Sequence, residues 1–523
     1  MPLLEESSLS RDHLLTVPVV IIGNGPSGIC LSYLLSGYRP YLDTGVVHPN
    51  PVLFRKLQDT KHLAITDQDL QYLSEGLEGR SSNPVAVLFD TLLHPNADFG
   101  YEFPPVLQWR QENQYHVPHL VLGRAAPGGA WHAMEGSMLT ISLGIWMELP
   151  GVNYRDLTAG NRRGVANDRA TPEEISSYYK NYVKLMGLQK NFLDNAYVTS
   201  VQRLHRDHED AVESEGRGDA VDGKKEIEVK DGSPAMLPQG IWEVRGYQQV
   251  QGDAHVPFSI FAENVVLATG ASDAPARLLV EGEDFPFVFH SIADLGMAVS
   301  KGTLDQNSDP VLIVGAGLSA ADAALCAYNN NISILHVFRK RVDDPGLIFK
   351  QLPKTLYPEY HKVYHLMCSQ THSAAATEAT TAPASGRFQD YTSFPEHCVV
   401  SFQPDMKCVL RSGTNSTVFK VSMALVLIGT HPNLFFLKDH GQYLALDPSK
   451  PISCKHNPIE IHPYTFECTK EANLFAMGPL VGDNFVRFLK GGALGIASCL
   501  MKRLKKKGEL IADGGGGGGG GLV

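Results

Sequence analysis

Cysteine is sparse: eight residues are scattered from Cys30 to Cys499, and none form a CxxC pair or a zinc-like spacing. That excludes a disulfide-stapled scaffold and a zinc module, and makes free thiols in a reducing compartment the expectation. No apolar run approaches the ~20 residues that a bilayer-spanning helix needs. The opening stretch MPLLEESSLSRDHLL is acidic and lacks the basic-then-apolar order of a secretory signal. A cytoplasmic protein without a transmembrane segment is expected. Positive charge is not in surplus: 45 Lys and Arg stand against 56 Asp and Glu, a net charge of −11. This balance argues against nucleic acid as a partner. No GxSxG or Cys/His signature offers a protein nucleophile, no metal-ligand cluster stands out, and no short-period repeat suggests a solenoid. At 523 residues, 43% of them hydrophobic, the chain suffices for two or three packed domains.

Glycine, by contrast, is plentiful, and two placements of it carry information. In VVIIGNGPSGICLSYLL, Val19–Leu35, a β-branched run leads into a glycine-rich turn and then a helix from about Pro26. Gly23 makes the tight turn, Gly25 lets backbone approach a pyrophosphate, and Gly28 lets helix pack on strand. Asn24, Pro26 and Ser27 should line that pyrophosphate, facing the helix N-terminus. An acidic residue about 20 positions on would bind a ribose hydroxyl. Asp43 stands there, although the preceding RPYL makes a poor strand, and a turn residue is the other reading.

VLIVGAGLSAADAALC, Val311–Cys326, repeats the pattern with Gly315, Gly317 and Ala320. The next strand, Ser333–Val337, runs into Phe338-Arg339-Lys340-Arg341 rather than a carboxylate. A carboxylate would suit the free hydroxyl of NAD; Arg339 and Arg341 suit the 2′-phosphate of NADPH. An exposed basic turn is the alternative. Each cradle is followed by an apolar strand and a small-residue turn: VVLATGASDAP with Gly270, and ALVLIGTHPN. Near the end, FAMGPLVGDNFVRFLKGGALGIASCL offers Gly482-Asp483 and a helix taken to begin at Gly491-Gly492. The two cradles with returning strands resemble flavoproteins with two dinucleotide-binding domains, and that resemblance implies that Asp483 bonds a flavin ribityl chain, its other reading being a cap on a surface helix, and that Gly491-Gly492 faces the flavin ring.

The expected architecture is α/β with two dinucleotide-binding, Rossmann-like domains. One cradle holds resident FAD; the other delivers NADPH. Residues 1–16 read as a disordered lead and 17–300 as the first part of the FAD domain, with a flexible insert at 205–240. The inserted NADP domain takes 301–433, with a low-complexity insert at 371–386. Residues 434–503 complete the discontinuous FAD domain, and 504–523 form a disordered basic and glycine-rich tail.

Within LGRAAPGGAWHAMEGSMLTIS, Gly128-Gly129-Ala130-Trp131 resembles the GG-[ST]-W loop of class B flavin monooxygenases. The segments SGICLSYLLSGYRPYL, LSEGLEGRSSNPVAVLFDTLLHP, LPKTLYPEYHKVY and MGPLVGDNFVRFLKGGAL resemble the oxidative-stress-induced growth inhibitor family. That resemblance covers nearly the whole chain except the two inserts and the tail. It implies an FAD- and NADPH-dependent monooxygenase. NADPH reduces the flavin, molecular oxygen forms a flavin hydroperoxide, and a small-molecule or protein substrate takes the distal oxygen. It places Trp131 and His132 beside the flavin, their other reading being a core residue and a satisfied loop histidine. It brings Ser142 near the isoalloxazine. It also implies roles in growth inhibition, cytokinesis and germ-cell maturation or meiosis, with the midbody as a further location. One departure stands out. The monooxygenase pattern FxGxxxHxxx is reduced to His290-Ser291 in DFPFVFHS, with Asp284 and Pro286 at the Phe and Gly positions. A flavin-bound regulatory or scaffold protein without turnover is therefore the alternative, and an NADPH-dependent reductase a second one. The absence of a CxxC pair weighs against thiol reduction.

Overall fold

The computed structural model describes residues 15–134, 139–158, 169–204, 240–250, 254–369 and 391–508. Residues 1–14 of the expected lead, 205–239 and 371–386 of the expected inserts, and 509–523 of the expected tail lie outside the described residues. Leu15 and Thr16 already belong to strand β1 (Leu15–Ile22), because they pair with Ile260 and Phe261.

The first unit is built on a seven-stranded sheet. After β1 comes α1 (Pro26–Leu35), whose residues are all buried. The chain then leaves the sheet as β2 (Tyr38–Leu42), α2 (Pro51–Asp59), α3 (Leu70–Ser74), α4 (Pro84–Leu93) and β3 (Leu107–Gln111). β2 and β3 form a separate antiparallel pair. The chain re-enters as β4 (His119–Leu122), which lies parallel to β1 with Ile22 opposite Leu122. So β4, not β2, is the strand beside β1. The polypeptide between α1 and β4 is an inserted lobe.

Helices α5 (Tyr154–Thr158) and α6 (Pro172–Leu185) follow, then β5 (Phe192–Leu193), β6 (Ala196–Arg203), β7 (Trp242–Gln249) and β8 (His255–Leu267). The sheet order is β5-β4-β1-β8-β7-β6. β8 serves two partners on one edge. Its first half pairs antiparallel with β7, and its last three residues pair parallel with a strand from near the C-terminus.

The second unit has a parallel five-stranded sheet and its own apolar cores. It is entered through β9 (Ala274–Pro275) and contains β10 (Val288–Phe289), α7 (Ile292–Ser300), β11 (Val311–Val314), α8 (Leu318–Asn329) and β12 (Ile334–Phe338). α9 (Ile348–Gln351), α10 (Pro358–Ser369) and β13 (Tyr391–Pro395) come next. A three-stranded meander then runs through β14 (Cys398–Gln403), β15 (Lys407–Ser412) and β16 (Asn415–Lys420). β17 (Met423–Val426) closes the sheet and β18 (Thr430–His431) leaves it. The unit begins earlier than the expected residue 301. β10 pairs with β17, and Leu295 of α7 is buried in the second core. The two connections between units, β9 and β18, pair with each other.

The chain then returns to the first unit. Leu434, Phe436 and Leu437 lie in its core, and β19 (Leu474–Ala476) completes its sheet beside β8. Helix α11 (Val486–Lys507) runs through the expected tail boundary at 504. Its last turn is held by Lys505 on Asp67 at 3.1 Å and Lys507 on Glu263 at 2.7 Å. No helix among the described residues is long and apolar enough to cross a membrane.

Candidate functional site

Both units carry the same glycine geometry where their first strand meets its helix. Gly23 has φ +117, and a Cβ on it would stand 2.2 Å from the Ala268 carbonyl oxygen at the end of β8. Gly315 has φ +131, and a Cβ there would stand 2.3 Å from the Leu427 carbonyl oxygen after β17. Only glycine tolerates that approach. At Gly25 and Gly317 a Cβ would meet nothing within 4 Å, so backbone faces open space in both loops. A Cβ on Gly28 would meet the Gly23 carbonyl oxygen at 2.1 Å, which fixes how closely α1 packs on its own turn. Ala320 takes the corresponding place in α8 and is fully buried.

The turn carrying Gly128-Gly129 folds onto the first loop. The Gly128 amide donates to the Asn24 carbonyl at 2.9 Å, and a Cβ on Gly129 would stand 3.1 Å from Gly25 Cα. Trp131 packs against the first core, and His132 is exposed with Nε2 at 2.9 Å from the Pro127 carbonyl. Gly270, φ +75, follows the β8 residues that abut Gly23. Ser142 lies apart, in a segment that meets the second unit: Tyr357 donates to the neighbouring Ile141 carbonyl at 2.5 Å.

Several expected residues sit elsewhere. Asp43 follows β2, which is not beside β1, and its Oδ1 accepts from the Gly45 amide. The residue at the end of the neighbouring strand is Gly123, and the Asn24 side chain fills the space beside it. The Asp483 amide donates to the Gly478 carbonyl at 3.2 Å, while its side chain is engaged within the protein. Its carboxylate accepts from Ser81 at 2.5 Å and Asn83 at 2.9 Å, and burial pushes it up to about 7. Gly482 ends the short turn that starts at Gly478, and Gly478 meets Ser27: a Cβ there would stand 2.7 Å from its hydroxyl. Gly491 and Gly492 are not at a helix start. α11 begins at Val486, and a Cβ on Gly491 would stand 2.2 Å from Ala86 Cα of α4. A Cβ on Gly492 would stand 2.6 Å from Met477 Cβ. Both are close-packing glycines.

Two polar atoms beside the first loop are buried without a hydrogen-bond partner: Asp194 Oδ1 and Thr269 Oγ1. Asp194 follows β5, next to Gly123, and engages Asn24. Unmatched buried acceptors at such a place fit a ligand hydroxyl. In the second unit, Arg339 stands exposed at the end of β12, directly beside β11. Arg341 is a residue pair further out, bound bidentate to Asp343 at 2.9 and 3.0 Å. His336, inside β12, is fully buried between the Gly315 carbonyl at 2.7 Å and Tyr391 Oη at 2.6 Å. Burial pushes its pKa down to about 4, so neutral Nε2–H holds the glycine turn. His290 bonds the buried Glu283 at 3.0 Å, and Glu283 also accepts from the amides of Leu278 and Leu279.

No family model matches the chain. It is 61% identical to human oxidative stress-induced growth inhibitor 2, over 98% of this chain and 99% of that protein. The chain belongs to the oxidative stress-induced growth inhibitor family. Mouse growth inhibitor 1 of that family is 49% identical over 96% of this chain and 98% of its own length. Among solved structures, bacillithiol disulfide reductase from Staphylococcus aureus matches with a TM-score of 0.54 and 14% identity, covering 94% of this chain and 100% of that one. The same enzyme from Bacillus cereus gives 0.53 and 13%. The growth inhibitor chain thus has the fold of a two-domain dinucleotide-binding oxidoreductase. All eight of its cysteines are free, and burial pushes the thiols of Cys30 and Cys408 up to about 12.

Proposed function

We propose that the chain is an FAD-dependent, NADPH-consuming monooxygenase. The observation that carries the reading is the duplicated glycine geometry, one cradle per unit. Gly25, Ser27, Gly129 and Gly478 would hold the flavin dinucleotide, with the amides at the start of α1 toward its phosphates. Asp194, rather than Asp43, would receive its ribose. Gly317 and the start of α8 would hold NADPH, with Arg339 on the 2′-phosphate and His336 fixing Gly315. Bound there, a flavin supplies hydride acceptance and oxygen activation. Trp131 and His132 would shield the site's rim from water. Thiol–disulfide exchange is disfavoured by the absence of a CxxC pair from the sequence.

A second reading, a flavin-bound regulatory protein without turnover, is favoured by one observation. His290, the remnant of the monooxygenase signature, is tied to Glu283. Roles in growth inhibition, cytokinesis and germ-cell maturation, and a cytoplasmic or midbody location, rest on the family resemblance.

Absorbance of the purified chain tests flavin binding, and Gly28→Glu should abolish it. Oxygen-dependent NADPH oxidation, weakened roughly tenfold to a hundredfold by Arg339→Ala through loss of one charged hydrogen bond, separates enzyme from scaffold. A colourless protein overturns both readings. Flavin without NADPH oxidation leaves only the second.

A further inference from the structure

A cavity of about 200 Å³ lies between the inserted lobe, the 148–153 segment and α11, and none of its lining residues belongs to either glycine loop. Much of its wall is apolar, with Leu107, Trp109 and Leu149 among the side chains. Pro105, Gly151 and Asn153 also line it and are exposed, so the cavity reaches the surface. Its ionisable lining residues are His94, Glu148 and Lys490. Lys490 is 1% exposed. Its Nζ is held between the other two, 3.1 Å from His94 Nε2 and 3.0 Å from the Glu148 carbonyl oxygen.

An ammonium carries three N–H donors and a neutral amine two. Among the described residues Lys490 has two acceptors, the His94 ring nitrogen and the Glu148 carbonyl, which is the number the amine needs. His94 is itself neutral, because burial, then Lys490 and Arg487, hold its pKa well below the ordinary range. Asp90 takes the Arg487 guanidinium at 2.9 and 2.6 Å, and Asp98 takes it at 3.0 Å. The Cys30 thiol, pushed up to about 12 by burial, is neutral as well. Glu148 and Asp90 favour a charged Lys490 and Arg487 opposes it, but burial outweighs the attraction and lowers the lysine's pKa. A desolvated lysine in an apolar pocket is a nucleophile suited to carbonyl compounds.

We propose that the Lys490 amine forms an imine with a small aliphatic aldehyde that enters this cavity. The nitrogen lone pair adds to the carbonyl carbon, and the carbonyl oxygen gains a proton as the nitrogen gives one up. Loss of the second N–H proton together with that hydroxyl releases water and leaves the C=N bond. Glu148, whose carboxyl pKa is raised by burial, lines the same cavity and carries these protons. The site is independent of either dinucleotide. Hexanal with sodium cyanoborohydride, at limiting aldehyde, is the probe, and peptide mass spectrometry of the purified full-length chain locates the alkylated lysines. Near pH 7, Lys490 should be modified roughly tenfold faster or more than the exposed Lys61 and Lys354, since a lowered pKa leaves more free amine. Hexanol has the same apolar body but forms no imine, and it should slow the reaction of Lys490 alone. Unfolding in urea should erase the preference. The proposal is overturned if Lys490 stays unmodified or reacts no faster than Lys61 and Lys354. It is equally overturned if hexanol leaves the Lys490 rate unchanged, or if the preference survives in urea.

Discussion

At the residue scale, the contrast between Asp43 and Asp194 shows what spacing alone conveys. The distance of 20 positions from Gly23 was met by a carboxylate, yet the strand before it belongs to another sheet. The carboxylate beside the loop follows β5, and only the pairing of β5 with β4 brings it there. No local signal marks such a residue. Asp194→Ala should weaken flavin binding by about 1–3 kcal/mol, the worth of a buried polar partner, while Asp43→Ala should leave it unchanged. Titration of FAD into the stripped proteins checks this; weakening by Asp43→Ala with none by Asp194→Ala would return the role to Asp43. Asp483 makes a different prediction. Its folded pKa, about 7, lies above the ordinary value of 3.8, so the folded chain holds this proton more tightly than the unfolded one. Stability from this group is full below about pH 4 and falls as pH rises to 7. Asp483→Asn cannot ionise. Its unfolding free energy should match the wild type at pH 4 and exceed it at pH 7.5, by on the order of a few kcal/mol. A difference that does not change with pH would count against the buried-acid reading.

At the element scale, the two strand–turn–helix units were legible because each is contiguous and its apolar run is short and β-branched. The register of β12 beside β11 also follows from sequence, since only one helix intervenes. The inserted lobe was not legible. β2 directly follows α1, as a second parallel strand would, and its wrong partner is fixed only by β3 some 65 residues later (107 − 42 = 65). Helix α11 starts before its expected glycine pair for a related reason. A glycine pair reads locally as a helix breaker or start, but here the two glycines admit neighbouring backbone. Gly491→Ala drives a methyl into α4 and should destabilise the chain by about 1–3 kcal/mol, the usual effect of overpacking. Urea unfolding measures it. An unchanged midpoint would mean that α4 moves away without cost.

At the scale of the whole molecule, the two units are joined by one short strand pair, by Ile141 of the first packed against a core of the second, and by polar contacts. Arg169 is the chief of these. Its side chain is 1% exposed, donates to the Thr140 carbonyl at 2.7 Å and the Leu356 carbonyl at 3.3 Å, and pairs with Glu359 of α10. Arg124 adds a contact to Asp273, whose other oxygen accepts from Asn433 across the paired connections. Arg169→Met removes the guanidinium from Glu359 and from the carbonyls of Leu139, Thr140 and Leu356 and should cost about 3 kcal/mol, the low end for breaking a buried pair because Glu359 is partly exposed. The coupling between units then weakens, and calorimetry should resolve two transitions where the wild type shows one. A single transition in the variant would place the coupling elsewhere.

The path of the chain also sets an order of events during synthesis. The second unit is contiguous, and all of its strands lie between β9 and β18. The first opens with β1 but is closed by β19 and α11, the last elements described. On the ribosome, where domains fold as units as they emerge, the second unit can be finished while the first cradle still lacks Gly478 and helix α11. A ligand of the first cradle would then meet a closed site only once β19 and α11 have joined the first unit.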